Sequence, residues 1–206
     1  LRSRIIFVVG LLTFVGLIIV TVANMLIAKN HSAQSLNAQT TALARSHAES
    51  VGLWVAARQQ VVRSMAAAAD MPDPIEALKQ AKIAGSVDTA YVGFPDKRMI
   101  FSVPQDLPPG YDPTIRPWYQ QASASSNVAL TEPYVDAATK KLVMTFAGAV
   151  KDGGTVKAVT ALDVFMDGVV SNVASIRPTP NTMGFIVSKG GKIIVHEDTA
   201  LVLKPV

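Results

Sequence analysis

The run Ala90-Tyr91-Val92-Gly93-Phe94, the turn Pro95-Asp96-Lys97-Arg98 and the run Met99-Ile100-Phe101-Ser102-Val103 form the stretch on which the fold turns. Two short segments rich in β-branched and aromatic residues flank a cluster of turn formers, and that pattern predicts a β-hairpin. Downstream, residues 104 to 117 carry five prolines and a glycine, so a loop is expected there. Trp118 to about Ser123 can start a short helix, because Pro117 is suited to a first helical turn. Three further strands are predicted at Val128 to Tyr134, Leu142 to Val150 and Val156 to Phe165, with Gly153-Gly154 as the last tight turn. Met166 to Ile176 can close the module as a helix.

Upstream, Pro72 and Pro74 end a stretch, about His31 to Ala69, that contains no proline and only Gly52 as glycine; it predicts one long helix, followed by a short one around Ile75 to Lys82. Leu36, Leu43, Val51, Trp54, Val55, Val61, Val62 and Met65 recur near a helical period and make one apolar stripe. Its distal half is expected in the domain core. Nearer the N-terminus the small residues offer little apolar surface, and pairing with a second copy as a homodimeric stalk is the expectation. Hairpin-connected strands after a long helix define the α+β class, an antiparallel sheet with helices on one face. A second hairpin, Gly184 to Val187 and Lys192 to Val195 around Lys189-Gly190-Gly191, reads as the truncated start of a second, similar module.

From Ile5 to Ala28 no residue is charged, and only Thr13, Thr21 and Asn24 are clearly polar. A helix of this length spans roughly 36 Å at about 1.5 Å per residue, against about 30 Å of hydrocarbon core. A transmembrane anchor is expected; a cleaved signal peptide, whose apolar part is usually about 7 to 15 residues, and a buried core helix are the other readings. Arg2 and Arg4 precede the run and only Lys29 directly follows it, which places residues 1–4 in the cytoplasm and the chain beyond about residue 30 outside it, in the periplasm. The expected organisation is therefore a cytoplasmic N-terminus at 1–4, a transmembrane helix at 5–28, a stalk helix at 29–70, a membrane-distal module at 71–177 and the incomplete second module at 178–206.

Composition narrows the function. The formal net charge of +4 is spread singly or in pairs along 206 residues, which does not resemble a nucleic-acid stripe. The chain has no cysteine, so disulfides and thiolate metal sites are excluded. His31, His47 and His196 are far apart and lack ligand spacing, so no metal is expected. Phosphate loops, dinucleotide fingerprints and nucleophile motifs are absent, and no cofactor is expected. Asp136 and Asp163 could be an acid/base pair of a glycosidase, but that chemistry usually needs a larger cleft. The expectation is not an enzyme.

What remains is one polar and aromatic concentration: Tyr111, Arg116, Trp118, Tyr119, Tyr134, Asp136 and Asp163. A free α-amino acid is a zwitterion, and holding it takes a cationic fork for the carboxylate and an anion for the ammonium. Arg116 suits the first role, and Asp136 and Asp163 suit the second. The aromatic residues can wall a pocket and still donate hydrogen bonds. Trp118 and Tyr119 could equally be core plugs, and Arg116 a surface ion-pair partner. Asp163 lies inside the apolar run Val159 to Phe165 and needs a partner; the most economical one is a cation, either Arg116 or a bound ammonium.

The segments Gly110-Tyr111-Asp112-Pro113, Arg116-Pro117-Trp118-Tyr119 and Leu130-Thr131-Glu132-Pro133-Tyr134-Val135-Asp136-Ala137 resemble the double-Cache ligand-binding domains of bacterial chemoreceptors, in particular the amino-acid-sensing branch. The resemblance implies a PAS-like antiparallel module, with Arg116 and Trp118 at the ligand carboxylate and Asp163, Asp136 and Tyr111 around the amine. Tyr119 and Tyr134 would complete the pocket. It also implies chemotaxis signalling through a kinase partner. A histidine-kinase or cyclase sensor for an amine, and an anchored dimerisation module without a ligand, are the alternatives. Continuity of the stalk helix into the membrane segment further suggests that ligand binding shifts that helix.

Overall fold

The computed structural model describes residues 2–174, 183–188 and 190–206. Two compact units emerge, Leu1–Leu53 and Trp54–Val206. In the first, helix α1 (Arg2–Ser64, which continues into the second) runs unbroken through the apolar segment and the Ala/Gln/Ser-rich segment after it. No proline removes a bond from its ladder. Thr13 and Thr21 return their hydroxyls to the carbonyls of Gly10 and Leu17, which satisfies these polar groups inside the apolar run. Among the described residues this is the one helix long and apolar enough to cross a membrane, with a mean hydropathy of 1.6 over its apolar window. Phe14, Leu17, Ile19 and Leu26 are exposed, a surface that favours an apolar solvent over water.

The second unit begins with the last turns of α1, a 3-10 turn at Met65–Asp70 and helix α2 (Ile75–Gly85). The expected hairpin follows as β1 (Thr89–Gly93) and β2 (Met99–Phe101). After the proline-rich loop come helix α3 (Pro117–Ala124) and strands β3 (Ala129–Leu130), β4 (Tyr134–Val135), β5 (Leu142–Asp152) and β6 (Thr155–Phe165). The sheet order is β2-β1-β6-β5-β3, with β4 also on β5, and all these pairings are antiparallel. Gly153 and Gly154, at φ +55° and +90°, make the β5–β6 turn in the left-handed region that glycine enters without strain.

Two expectations are revised. The single strand expected at 128 to 134 is split: from Ala129 to Tyr134 the chain advances five residues while its partner β5 advances four, from Ala147 to Val143. The interruption falls at Glu132-Pro133, where proline has no N–H to give the ladder. Helices also cover both faces of the sheet, not one. Ala158 to Val164 of β6 are all buried, which requires cover on each side. On one face Leu162, Phe146, Val92 and Ala90 pack with Val62 near the end of α1, Met65 of the 3-10 turn and Leu78 of α2. On the other, Tyr91, Ala147, Val159 and Ala161 pack against Trp118, Tyr119 and Ala122 of α3.

Helix α4 (Met166–Ala174) follows β6 directly; the expected extension to Ile176 lies outside the described residues, as does Lys189 of the second hairpin. That hairpin forms as β7 (Ile186–Val187) and β8 (Ile193–Val195). Val195 is buried with Met144, Met166 and Val173, and Lys192 Nζ lies 3.0 Å from Glu132 Oε2.

Candidate functional site

The α3 face of the sheet carries the candidate site, and strand periodicity decides which residues reach it. Side chains alternate between faces, so on β6 Val159, Ala161 and Asp163 share the α3 side while Leu162 faces α1 and α2. Register then sets Thr89 of β1 and Thr145 of β5 on either side of Asp163. Trp118, 1% exposed, lies edge-on to Tyr91 with ring centroids 5.1 Å apart. Gly93 permits this approach: a Cβ there would stand 2.6 Å from the indole Cη2 and 2.9 Å from Met99 Sδ.

A narrow cavity of only about 10 Å³ lies here, room for roughly one water. Of the seven residues singled out in the sequence, Tyr111, Arg116, Trp118, Tyr134, Asp136 and Asp163 line it. Tyr119 is not among the lining residues; it is buried behind Trp118, with ring centroids 5.4 Å apart.

Asp163 is 6% exposed and is held by hydroxyls, not by a cation. Tyr91 Oη donates to its Oδ1 at 2.9 Å and Thr145 Oγ1 donates to the same atom at 2.6 Å. Tyr134 Oη lies 2.7 Å from Thr145 Oγ1 and, with the threonine proton directed at Asp163, acts as donor. Among the described residues no donor reaches Oδ2 and no cation lies within ion-pair distance, so Arg116 is not the partner anticipated. Burial pushes the Asp163 carboxyl up to about 7; the Thr145 and Tyr91 hydrogen bonds oppose this, and the charges of Asp136 and Asp88 add to it. Burial also raises the phenols of Tyr91, Tyr134 and Tyr111, with Asp163 the next cause at Tyr91 and Tyr134 and the Trp118 hydrogen bond opposing the rise at Tyr111.

Arg116 occupies the N-cap position of α3, where Pro117 at the first helical residue fixes the turn. Its Nη2 donates to the Val135 carbonyl at 2.9 Å, and its guanidinium stands 5.5 Å from the Tyr134 ring centroid. Its Nε is buried with no hydrogen-bond partner among the described residues. Asp136 is largely engaged in its own turn, Oδ2 accepting from the backbone N–H groups of Ala138 and Thr139 and from Thr139 Oγ1. Each end of the cavity thus keeps unused capacity: a guanidinium donor on one side, carboxylate oxygens on the other. Among the described residues no cluster suited to a metal ion occurs.

Tyr91 and Thr145 were not anticipated as site residues. The available signal was a hydroxyl inside an otherwise apolar strand, as with Thr145 in Leu142 to Val150, but the strand register that points both at Asp163 is a tertiary property.

Residues 87–169 match the family described as methyl-accepting chemotaxis protein-like, first PDC sensor domain. The methyl-accepting chemotaxis protein PctB of Pseudomonas aeruginosa is 33% identical over 161 residues, 76% of this chain and 26% of PctB. Among solved structures, the ligand-binding domain of PctB in complex with L-Gln superposes with a TM-score of 0.72 at 32% identity, covering 79% of this chain and 69% of that one. The ligand-binding domain of the Pseudomonas fluorescens chemoreceptor CtaA in complex with L-serine gives a TM-score of 0.70 at 30% identity, covering 78% and 72%. The chain belongs to the double-Cache, or PDC, ligand-binding domains of methyl-accepting chemotaxis proteins. It spans about a quarter of the length of the curated relatives it matches.

Proposed function

We propose that this chain is the sensor region of a transmembrane chemoreceptor that holds a free L-amino acid in the Arg116–Asp163 cavity and signals across the membrane for chemotaxis. Arg116, with the Trp118 indole N–H, takes the ligand carboxylate; Asp163, with Asp136 and Tyr111, takes the ammonium. Tyr134 orients Thr145 beneath Asp163, and Tyr119 braces Trp118 from behind. The single observation that carries this reading is the pairing, across one cavity, of a buried guanidinium N–H and a buried carboxylate that find, among the described residues, no acceptor and no cation respectively. A zwitterion supplies what each lacks, and charge-assisted hydrogen bonds in a dry site are the strong ones. The amino-acid complexes of PctB and CtaA support it.

Residues 5–28 then anchor the chain in the cell membrane, residues 29–70 form the stalk, 71–177 the ligand-binding module and 178–206 the start of the next, with the sensor on the periplasmic side, a second copy as stalk partner and a kinase downstream. Since the cavity has room for about one water, ligand entry requires a wall to move, and the ligand favours whichever state offers it better contacts. The deciding test is titration calorimetry of the purified chain in nanodiscs against the common L-amino acids, with Arg116→Ala and Asp163→Ala. Micromolar binding lost in both folded variants is expected; a folded wild type that binds none of them would overturn the proposal.

A further inference from the structure

The class of amino acid is written in the rest of the cavity wall. We infer that the site selects amino acids with uncharged, mainly apolar side chains, and that Leu107, on a movable strap at 103–110, is its specificity-determining residue. This deepens the amino-acid reading and rests on it.

The lining carries three charged side chains, Arg116, Asp136 and Asp163, and the ligand's own carboxylate and ammonium engage all three. What is left for a ligand side chain is mainly apolar, Met99 and Phe101 from β2, Leu107 from the loop, Phe165 from the end of β6 and Ala138, with Thr89, Gln105 and Thr139 as neutral polar members. A lysine, arginine, aspartate or glutamate side chain would bring its charge against thioether, phenyl and isobutyl groups; the two cations of the groove beyond, Lys79 and Lys97, are already paired with Glu76 and Asp112, and an uncompensated buried charge is strongly disfavoured. Asp136 offers little to a basic side chain, because its Oδ2 already accepts three hydrogen bonds and its Oδ1 is the oxygen left for the ligand's own ammonium.

The strap is the wall that can give way. β1 and β6 are locked in register across the sheet, and Trp118 is wedged between Tyr91 and Tyr119. The loop, in contrast, is tied at its ends: the Ser102 N–H donates to the Ala90 carbonyl, and Lys97 Nζ pairs with Asp112 Oδ2 at 2.9 Å. Between these ties the described hydrogen bonds of 103–110 stay within the loop, from Gln105 Nε2 to the Val103 carbonyl and from the Tyr111 N–H to the Pro108 carbonyl. Gln105 and Leu107 are half-buried and face the cavity, while Val103, Pro104, Asp106, Pro108 and Pro109 are exposed. Outside the strap lies an open groove of about 630 Å³ that shares Met99, Phe101, Gln105, Leu107 and Tyr111 as walls with the inner cavity. Displacing the strap therefore opens room for a side chain next to the apolar wall without disturbing the sheet.

The experiment is calorimetric titration of the full chain in nanodiscs with glycine, L-leucine, L-methionine, L-glutamate and L-arginine, repeated with Leu107→Ala. Glycine engages only the main-chain groups and reports folding of the variant. Burying a leucine side chain should make L-leucine roughly 10 to 100-fold tighter than glycine, with L-glutamate and L-arginine weaker than glycine. Leu107→Ala should weaken L-leucine about tenfold and glycine distinctly less. Tighter binding of L-glutamate or L-arginine than L-leucine, or an equal loss for glycine and L-leucine in Leu107→Ala, overturns the inference while leaving the amino-acid reading intact. Absence of binding by every amino acid, glycine included, overturns both.

Discussion

Tyr91 and Asp163 sit on neighbouring antiparallel strands, two pairs apart in the register and so on the same face, and the phenol donates to the carboxylate at 2.9 Å. This hydrogen bond favours the ionised carboxylate, the form that receives an ammonium. Tyr91→Phe should raise the Asp163 pKa further above about 7 and weaken amino-acid binding about tenfold at pH 7. Calorimetry between pH 6 and 9 should show the variant and wild-type affinities converging at the alkaline end. A pH-independent loss would mean that Tyr91 acts only by packing.

The same carboxylate makes stability depend on pH. Its folded-state value near 7 lies above the ordinary 3.8, so the folded chain keeps a proton that the unfolded chain releases between those values. Its contribution is therefore complete below about pH 4 and is lost as pH rises through about 7. Asp163→Asn should be more stable than wild type at pH 8, by on the order of 2–4 kcal/mol, with the difference shrinking toward pH 5. Denaturant melts of the ligand-free proteins at several pH values measure this directly.

Gly93 is the position where a small substitution should be felt at the site. An added Cβ at 2.6 Å from Trp118 and 2.9 Å from Met99 Sδ forces both side chains to shift. Gly93→Ala should cost about 1–3 kcal/mol of stability and alter tryptophan fluorescence, and glycine affinity should fall because the indole N–H is displaced. Unchanged fluorescence and affinity would show that β1 yields instead.

Arg116→Lys keeps the charge but not the planar fork. Lysine cannot hold the Val135 carbonyl and also present two parallel donors to a carboxylate. Affinity for every amino acid should fall by about 10 to 100-fold, with little change in melting temperature because the side chain makes no capping hydrogen bond to α3 and its one described hydrogen bond, to the Val135 carbonyl, is exposed. Parallel titration and thermal melts separate the two effects.

Much of this was legible without coordinates. Among the described residues each predicted element appears, apart from the split strand and the end of the long helix, because periodicity and turn chemistry act locally: α1 gives way at Ser64 to a 3-10 turn that stops at Asp70 before Pro72 and Pro74, and Gly153-Gly154 turns β5 into β6. The split at Pro133 was locally signalled too, by a proline inside a predicted strand. Six of seven candidate residues meet at one cavity. Tyr119 does not line it, since adjacent residues on a helix point in directions about 100° apart and Trp118 takes the inward one.

The sequence by itself determined that an apolar span precedes a helix and an antiparallel sheet, and that one arginine and two aspartates are the charges available to a zwitterion. Only the tertiary structure decided that two hydroxyls, from Tyr91 and Thr145, hold Asp163, that Arg116 leans on the Val135 carbonyl, and that α3 covers the second sheet face. The physical reason is register. A strand's own residues dictate which face each side chain takes, but the partner strand sets which side chains become neighbours, and a slip of one residue would turn Asp163 away from every group that now holds it.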